Sequence, residues 1–125
     1  MSLSLLLATV LVFSLGVAHS YLGERYILIR LFRRADLPEL FGSDLFTRRT
    51  LRFAWHLTTV AWWGCGVLIF MAARSAGPVS RATLGGALGG TFLVSALVTL
   101  VGSRGRHLAW PVFLAIAAAS WFGLR

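Results

Sequence analysis

The sequence predicts an all-α integral membrane protein: four transmembrane helices in a compact bundle, with an amphipathic cytoplasmic loop between helices 1 and 2. Of its 125 residues, 58% are hydrophobic and only 13% are charged, about half the charged fraction of a soluble domain. The mean hydropathy is +0.80. This composition excludes a soluble enzyme and a disordered chain, and the single cysteine excludes a disulfide-stapled secreted domain.

The apolar residues are gathered into four stretches, none of which contains Asp, Glu, Lys or Arg. These predicted spans cover 3–22, 53–73, 82–102 and 108–124. A helix needs about 20 residues to cross roughly 30 Å of hydrocarbon. Backbone amides in lipid must be hydrogen-bonded within their own segment, so helices are expected. We therefore predict one transmembrane domain that comprises the whole chain, 1–125.

The first apolar stretch has an alternative interpretation as a cleaved signal peptide. Ala18 and Ser20 provide small residues before a cleavage point. However, no basic residue precedes the apolar run, and cleavage would leave only three helices. We therefore expect this stretch to be retained as the first span.

Arginine supplies all 12 basic residues, and its distribution predicts the orientation. Nine arginines lie in the connections between spans 1 and 2 and between spans 3 and 4: Arg25, Arg30, Arg33, Arg34, Arg48, Arg49, Arg52, Arg104 and Arg106. The remaining three are Arg74, Arg81 and Arg125. The positive-inside rule places the nine in the cytoplasm and both termini in the periplasm of a bacterium, across its inner membrane. The net charge of +8 then indicates anionic lipids as partners and not nucleic acid.

The cytoplasmic connection, 23–52, is predicted to be an interfacial segment. Residues 24–34 mix arginine with large apolar side chains, which favours a helix at the membrane surface or a continuation of the first helix. Residues 36–42 run from an Asp to a Gly and predict a short turn of helix. Ser43 or Asp44 is then placed to cap the second helix, which would begin before the membrane.

The third span carries two overlapping pairs of glycines, four residues apart. The pairs are Gly85 with Gly89, and Gly86 with Gly90. Small residues at this spacing allow helix backbones to approach closely in lipid. The pattern predicts either packing within the bundle, or a contact in a homo-oligomer or larger membrane complex, or a surface for a ligand.

Three histidines are predicted near the same face of the membrane. His19 ends the first span, and His107 precedes the last. His56 lies four residues beyond Arg52 in the second span, about 6 Å deeper along a helix. Three different helices would thus bring an imidazole to a similar depth, which makes this end of the bundle the predicted site.

A polar stripe on the second helix extends the predicted site. Residues three or four apart lie on one helix face, and the stripe consists of Arg49, Arg52, His56, Thr59 and Trp63. Polar groups at such depth usually face the bundle interior or a wet cavity. Glu24, at the end of the first helix, could form an ion pair with an arginine or orient an imidazole by a hydrogen bond.

The leading hypothesis is a small non-enzymatic inner-membrane protein, an oligomer or complex subunit, whose His/Arg/Glu pocket binds an anionic ligand, lipid headgroup or partner. No cofactor is firmly predicted. An alternative is a redox subunit with a metal or b-type haem, in which His19 and His56 would be the ligands. Gly16, Gly64 and Gly66 would then leave space for the macrocycle. A second alternative is an enzyme acting on a lipid-like anion, although the sequence contains no recognisable catalytic motif.

Overall fold

The computed structural model describes residues 2–124, which fold into four helices. In chain order they are α1 (Leu3–Leu31), α2 (Leu45–Arg74), α3 (Arg81–Ser103) and α4 (Ala109–Gly123). No β-strand occurs within residues 2–124. The predicted all-helical class and the number of helices are therefore confirmed. α2 begins eight residues before the apolar stretch at 53–73, in agreement with a helix that starts ahead of the membrane.

Three of the helices are long and apolar enough to cross a membrane, which suggests a membrane protein. These are α1, α2 and α3, with 29, 30 and 23 residues. α4 is shorter than its predicted span of 108–124, because only 15 residues are helical. At 1.5 Å per residue it measures about 22 Å, less than the roughly 30 Å of a hydrocarbon core.

The end of α1 contains a π-helical segment, Gly23–Leu28, before one last α-helical turn, Ile29–Leu31. The predicted continuation of the first helix is thus confirmed as far as Leu31. The indole of Trp55 packs directly on Gly23, and a Cβ there would lie 2.1 Å from its Nε1 atom. A π-helical turn contains an extra residue and changes the direction of the side chains that follow.

The connection after α1 turns back through a tight hairpin, so the predicted helical turn over 36–42 is wrong. Leu40 and Ser43 exchange backbone hydrogen bonds of 3.0 and 3.4 Å. Phe41 and Gly42 between them have φ values of 59° and 82°. Two successive residues with positive φ are typical of a two-residue hairpin and cannot continue a right-handed helix.

The acidic residues expected to cap helices form ion pairs instead. Asp36 accepts hydrogen bonds from Arg34, including one of 2.8 Å from Nε, and these lower the pKa of its carboxyl to about 2. Asp44 directly precedes α2 but makes no side-chain capping bond. It pairs with Arg48, whose hydrogen bond lowers the pKa of the Asp44 carboxyl.

The helices pack in chain order, α1 on α2, α2 on α3 and α3 on α4. Within residues 2–124, no close backbone approach joins α1 to α3 or α4, or α2 to α4. The bundle is therefore more open than the compact one that the sequence predicts. Many of its buried residues are small, such as Ala96 and Thr99, while large apolar side chains such as Leu11 remain exposed. An apolar exterior of this kind suits a lipid environment.

The two glycine pairs of α3 have different surroundings. A Cβ on Gly85 would lie 2.8 Å from the carbonyl oxygen of Ser120, and one on Gly89 would lie 3.2 Å from that of Ala117. This pair therefore allows the close approach of α4. Gly86 and Gly90 have open space where a Cβ would project. The sequence predicted both pairs alike, and the structure assigns only the first to helix packing.

Candidate anion-binding site at the arginine-rich end

The last turns of α1, the connection 32–44, the start of α2 and the α3–α4 loop lie together. We call this the arginine-rich end. It contains two features that share residues of α2. One is a seam of hydrogen bonds between α1 and α2, and the other is a cavity between α2 and α3.

The seam begins with two tryptophans of α2 that donate to backbone carbonyls of α1. Trp63 Nε1 lies 3.2 Å from the oxygen of Phe13, and Trp55 Nε1 lies 3.1 Å from that of His19. Carbonyl oxygens within a helix already accept a hydrogen bond from the same helix. The two tryptophan bonds are therefore additional and link α2 to α1. The Trp63 indole packs on Gly16, where a Cβ would lie 2.3 Å from Nε1.

A hydrogen-bonded chain continues the seam towards the arginine-rich end. The Ser20 hydroxyl lies 2.7 Å from Oγ1 of Thr59 and 2.9 Å from Nδ1 of His56. His56 Nε2 lies 3.4 Å from Oε2 of Glu24. The other carboxylate oxygen of Glu24 lies 3.0 Å from Nη2 of Arg52. The sequence offered an arginine or a histidine as alternative partners of Glu24, and in the structure Glu24 contacts one of each.

Most of the predicted polar stripe thus faces α1. Arg52, His56, Thr59 and Trp63 each contact a group on that helix, and only 3% of Thr59 is exposed. Bonds between polar side chains and a neighbouring helix stabilise helix association in lipid. The stripe is accordingly a helix–helix interface over most of its length, and it reaches the cavity only at its arginine-rich end.

The first predicted histidine lies within an aromatic cluster. The His19 ring stacks on Trp55 with a centroid distance of 4.6 Å and an interplanar angle of 2°. The Trp62 ring is 4.8 Å away and tilted. His19 Nε2 is buried and has no hydrogen-bond partner within residues 2–124.

The third predicted histidine lies in the α3–α4 loop, against α2. The His107 ring is 6.0 Å from the ring of Phe46 and 5.2 Å from that of Phe53. Its Nδ1 accepts a hydrogen bond from the backbone of Ala109 at the start of α4. The structure therefore gives the three histidines three different sets of neighbours and does not unite them in one cluster.

The residues present do not fit a haem or a metal ion. Both ring nitrogens of His56 are engaged within the seam. Within residues 2–124, no group of three or more His, Cys, Asp and Glu is arranged to hold a metal. The glycines expected to make room for a macrocycle have side chains packed on them: Trp63 on Gly16, Thr91 on Gly64, and Val12 with Phe13 on Gly66.

The cavity between α2 and α3 has a volume of about 930 Å³ and is open to the surface. Its basic lining residues are Arg48, Arg49, Arg52 and His56 of α2, and Arg104, which follows α3. The other lining residues are mostly apolar and include a strip of α3 that comprises Leu97, Val98 and Val101. A site of this composition is suited to a ligand with an anionic group and an apolar tail.

Two of the four arginines in the cavity wall already have acidic partners. Arg48 pairs with Asp44, donates to the backbone oxygen of Phe32 and lies 3.1 Å from that of Arg34. Arg52 pairs with Glu24, and its guanidinium lies 5.0 Å from the centre of the Phe32 ring. These two arginines hold the connection and the end of α1 against α2.

Arg49 and Arg104 are different, because no carboxylate within residues 2–124 pairs with either of them. Arg49 lines the cavity together with Arg104, and it lines a small adjoining pocket together with Arg106. Like charges held together at a partly buried position favour the binding of an anion. Arg49 was among the predicted site residues, and Arg104 was not.

The position of Arg104 depends on an unusual backbone conformation. It follows α3 with φ 52° and ψ 43°, a left-handed conformation that costs a non-glycine residue about 1–2 kcal/mol. Gly105 follows with φ 76° and donates a 2.8 Å bond to Leu100. Strained residues of this kind often occur at functional sites. The sequence signal available was Gly105, since a glycine after a helix marks such an end.

The seam contains a hydroxyl–imidazole–carboxylate chain, of which only the imidazole lines the cavity. Ser20, His56 and Glu24 are linked in the order hydroxyl, imidazole and carboxylate, as a nucleophile and its base would be. Ser20, however, is absent from the residues that line the cavity, whereas His56 is present among them. A ligand in the cavity would therefore meet the imidazole and not the hydroxyl.

In the comparisons with known proteins, no family model, curated protein or solved structure matches this chain.

Proposed function

We propose that this chain is a small, non-enzymatic protein of a bacterial inner membrane that binds an anionic membrane lipid in the cavity between α2 and α3. All four helices cross the bilayer in this proposal, with α4 spanning locally thinned lipid. The arginine-rich end faces the cytoplasm and both termini face the periplasm. This orientation follows the positive-inside rule and places the cavity beside a leaflet rich in anionic lipid.

The observation that carries the proposal is that Arg49 and Arg104 lie beside an apolar wall and have no acidic partner among residues 2–124. Guanidinium groups bind phosphate oxygens with short, charge-assisted and often bidentate hydrogen bonds. The strip Leu97, Val98 and Val101 would cover part of an acyl chain, at about 25 cal/mol for each Å² of apolar surface removed from water. Headgroup and chain would then be bound by adjoining parts of one cavity.

The test compares lipid binding to the detergent-purified protein by native mass spectrometry. Phosphatidylglycerol and phosphatidylcholine with identical acyl chains are the two probes. We expect the wild type to prefer phosphatidylglycerol, and the double variant Arg49→Gln/Arg104→Gln to lose about tenfold or more of that affinity. The matched control is Arg25→Gln/Arg33→Gln, which removes the same charge from exposed positions outside the cavity.

Two results would overturn the proposed function. One is phosphatidylglycerol binding that survives in Arg49→Gln/Arg104→Gln. The other is an equal loss in the control variant, because general attraction to a basic surface would then explain the binding.

The proposed orientation has its own test. Two separate fusion proteins carry a reporter that is active only in the cytoplasm. In one the reporter follows the C-terminus, and in the other it is inserted in the exposed hairpin at Phe41 and Gly42. We expect activity from the hairpin insertion alone. Activity at the C-terminus would contradict the proposed topology.

A further inference from the structure

The charge of the cavity wall indicates which kind of anionic lipid the cavity binds. This inference rests on the proposed function. The wall contains four arginines, and Asp44 and Glu24 pair with two of them. Two positive charges therefore remain within the cavity, on Arg49 and Arg104. Arg106 adds a third close by, since it lines a small pocket together with Arg49. In the part of the chain that the structure describes, none of these three forms an ion pair.

The two kinds of lipid phosphate differ in how well they match this charge. A phosphodiester, with other groups on both sides, has one negative charge and two free oxygens. A phosphomonoester has a charge of about −1.5 to −2 at neutral pH and three acceptor oxygens. Arg49 and Arg104 together carry two positive charges, so a dianion attracts them more strongly than a single negative charge does.

We propose that the cavity selects a lipid phosphomonoester, a terminal phosphate on an apolar chain, over phosphodiester lipids. Arg49 on α2 and Arg104 after α3 bind the phosphate from two sides, and Arg106 contributes to the local positive potential. Arg52 and Arg48 remain with their carboxylates. The apolar strip of α3 makes the chain part of the recognised ligand, so that a free phosphate or a soluble phosphomonoester is a poor substitute.

The experiment titrates the full-length protein in detergent with three probes. They are short-chain phosphatidic acid, phosphatidylglycerol with the same acyl chains, and glycerol 3-phosphate. At about pH 8, where a phosphomonoester is a dianion, we expect phosphatidic acid to bind about tenfold more tightly than phosphatidylglycerol. Glycerol 3-phosphate should bind at least about tenfold more weakly than phosphatidic acid, because it lacks the chain.

The pH dependence supplies a second readout. At about pH 5 a phosphomonoester has lost its second charge, so its preference over phosphatidylglycerol should fall to nearly none. The groups that face the cavity are His56, Arg48, Arg49 and Arg52 from α2 and Arg104 after α3, with Glu24 of α1 bound to two of them. These groups act on both lipids, so the readout is the ratio of the two affinities.

The single variants identify the residues responsible. Arg49→Gln and Arg104→Gln should each abolish the preference for phosphatidic acid, whereas Arg33→Gln should preserve it. Equal, arginine-dependent binding of both lipids would overturn the phosphomonoester inference and leave the proposed function standing. Phosphatidylcholine with the same acyl chains is titrated as the reference without net charge, and failure of both anionic lipids to bind more tightly than it would overturn both the inference and the proposed function. Glycerol 3-phosphate binding as tightly as phosphatidic acid would overturn the claim that the ligand is a lipid.

Discussion

The two helical hairpins of this chain are held together by different interactions. Side chains of α2 reach across to α1 with hydrogen bonds at several levels, from Trp63 at one end to Arg52 at the other. In the second hairpin, α3 and α4 meet through small residues. Gly85 and Gly89 lie against the backbone of α4, where Ala117 is buried.

The difference shows two ways of joining apolar helices. Close backbone contact over glycines gains dispersion energy, and interhelical hydrogen bonds satisfy polar groups. The hydrogen-bonded hairpin brings polar side chains to the arginine-rich end, next to the cavity. The glycine-packed hairpin supplies the apolar wall of that cavity. Substitutions in the two hairpins should therefore differ in their effect on stability.

Gly85→Leu should disrupt the α3–α4 hairpin. The new side chain would begin 2.8 Å from the carbonyl oxygen of Ser120, and backbone cannot yield as a flexible side chain does. We expect a loss of about 3 kcal/mol in the free energy of unfolding, measured by thermal or denaturant unfolding in detergent. Gly86→Leu is the matched control, because open space lies where its Cβ projects.

Equal destabilisation by Gly85→Leu and Gly86→Leu would contradict the assignment of only one glycine pair to α3–α4 packing. The mass of each variant in detergent, measured alongside, adds a further readout. A change of mass in Gly86→Leu alone would indicate that the open glycine pair contacts a second copy.

Thr59→Val should weaken the α1–α2 hairpin by much less. The substitution keeps the shape and removes the hydroxyl that lies 2.7 Å from Ser20 Oγ and 3.4 Å from the oxygen of Gly16. Interhelical bonds of this kind contribute about 0.6 kcal/mol on average and up to about 2 kcal/mol. Unfolding measurements should show a loss in that range, and none for Thr58→Val at an exposed position. Indistinguishable curves for Thr59→Val and wild type would assign no stabilising role to this bond.

The smallest effect is expected from the connection that joins α1 to α2. The folded-state pKa values of Asp36 and Asp44 are lowered by Arg34 and Arg48. The two ion pairs therefore contribute fully to the free energy of unfolding above about pH 4, where both carboxylates are charged. The contribution of the Asp36 pair is lost as the pH falls towards 2. We expect the unfolding temperature to decrease across this window. The double variant Asp36→Asn/Asp44→Asn should show a smaller decrease, and an equal one would contradict this role for the two ion pairs.

Much of the fold could be predicted because helix length and charge placement are properties of single segments. The apolar stretches at 53–73 and 82–102 gave helices close to their observed positions. The hairpin at Phe41 and Gly42 was missed because a Phe with positive φ is rare. The π-helical turn, Gly23–Leu28, begins at the glycine on which Trp55 packs, a contact between distant segments that local patterns do not contain.

The site was less predictable than the fold, for a physical reason. Spacing alone placed Arg52, His56 and Thr59 on one helix face, but it could not show which helix that face contacts. The structure turns this face towards α1, while Arg49 reaches the cavity. Arg104 was counted only for topology, since its role depends on the proximity of the α3–α4 loop to α2, which the sequence does not show.

The position of the cavity also has a mechanical consequence. It lies where the two hairpins meet, and the short loop 75–80 joins them at the far end. Between them, Thr91 packs on Gly64 and Phe53 packs on Gly102, so both contacts combine a glycine with a larger side chain. A small rotation of one hairpin against the other would widen or narrow the cavity without breaking a bond inside either. In the proposed function, the angle between the hairpins would therefore vary with the size of the bound lipid.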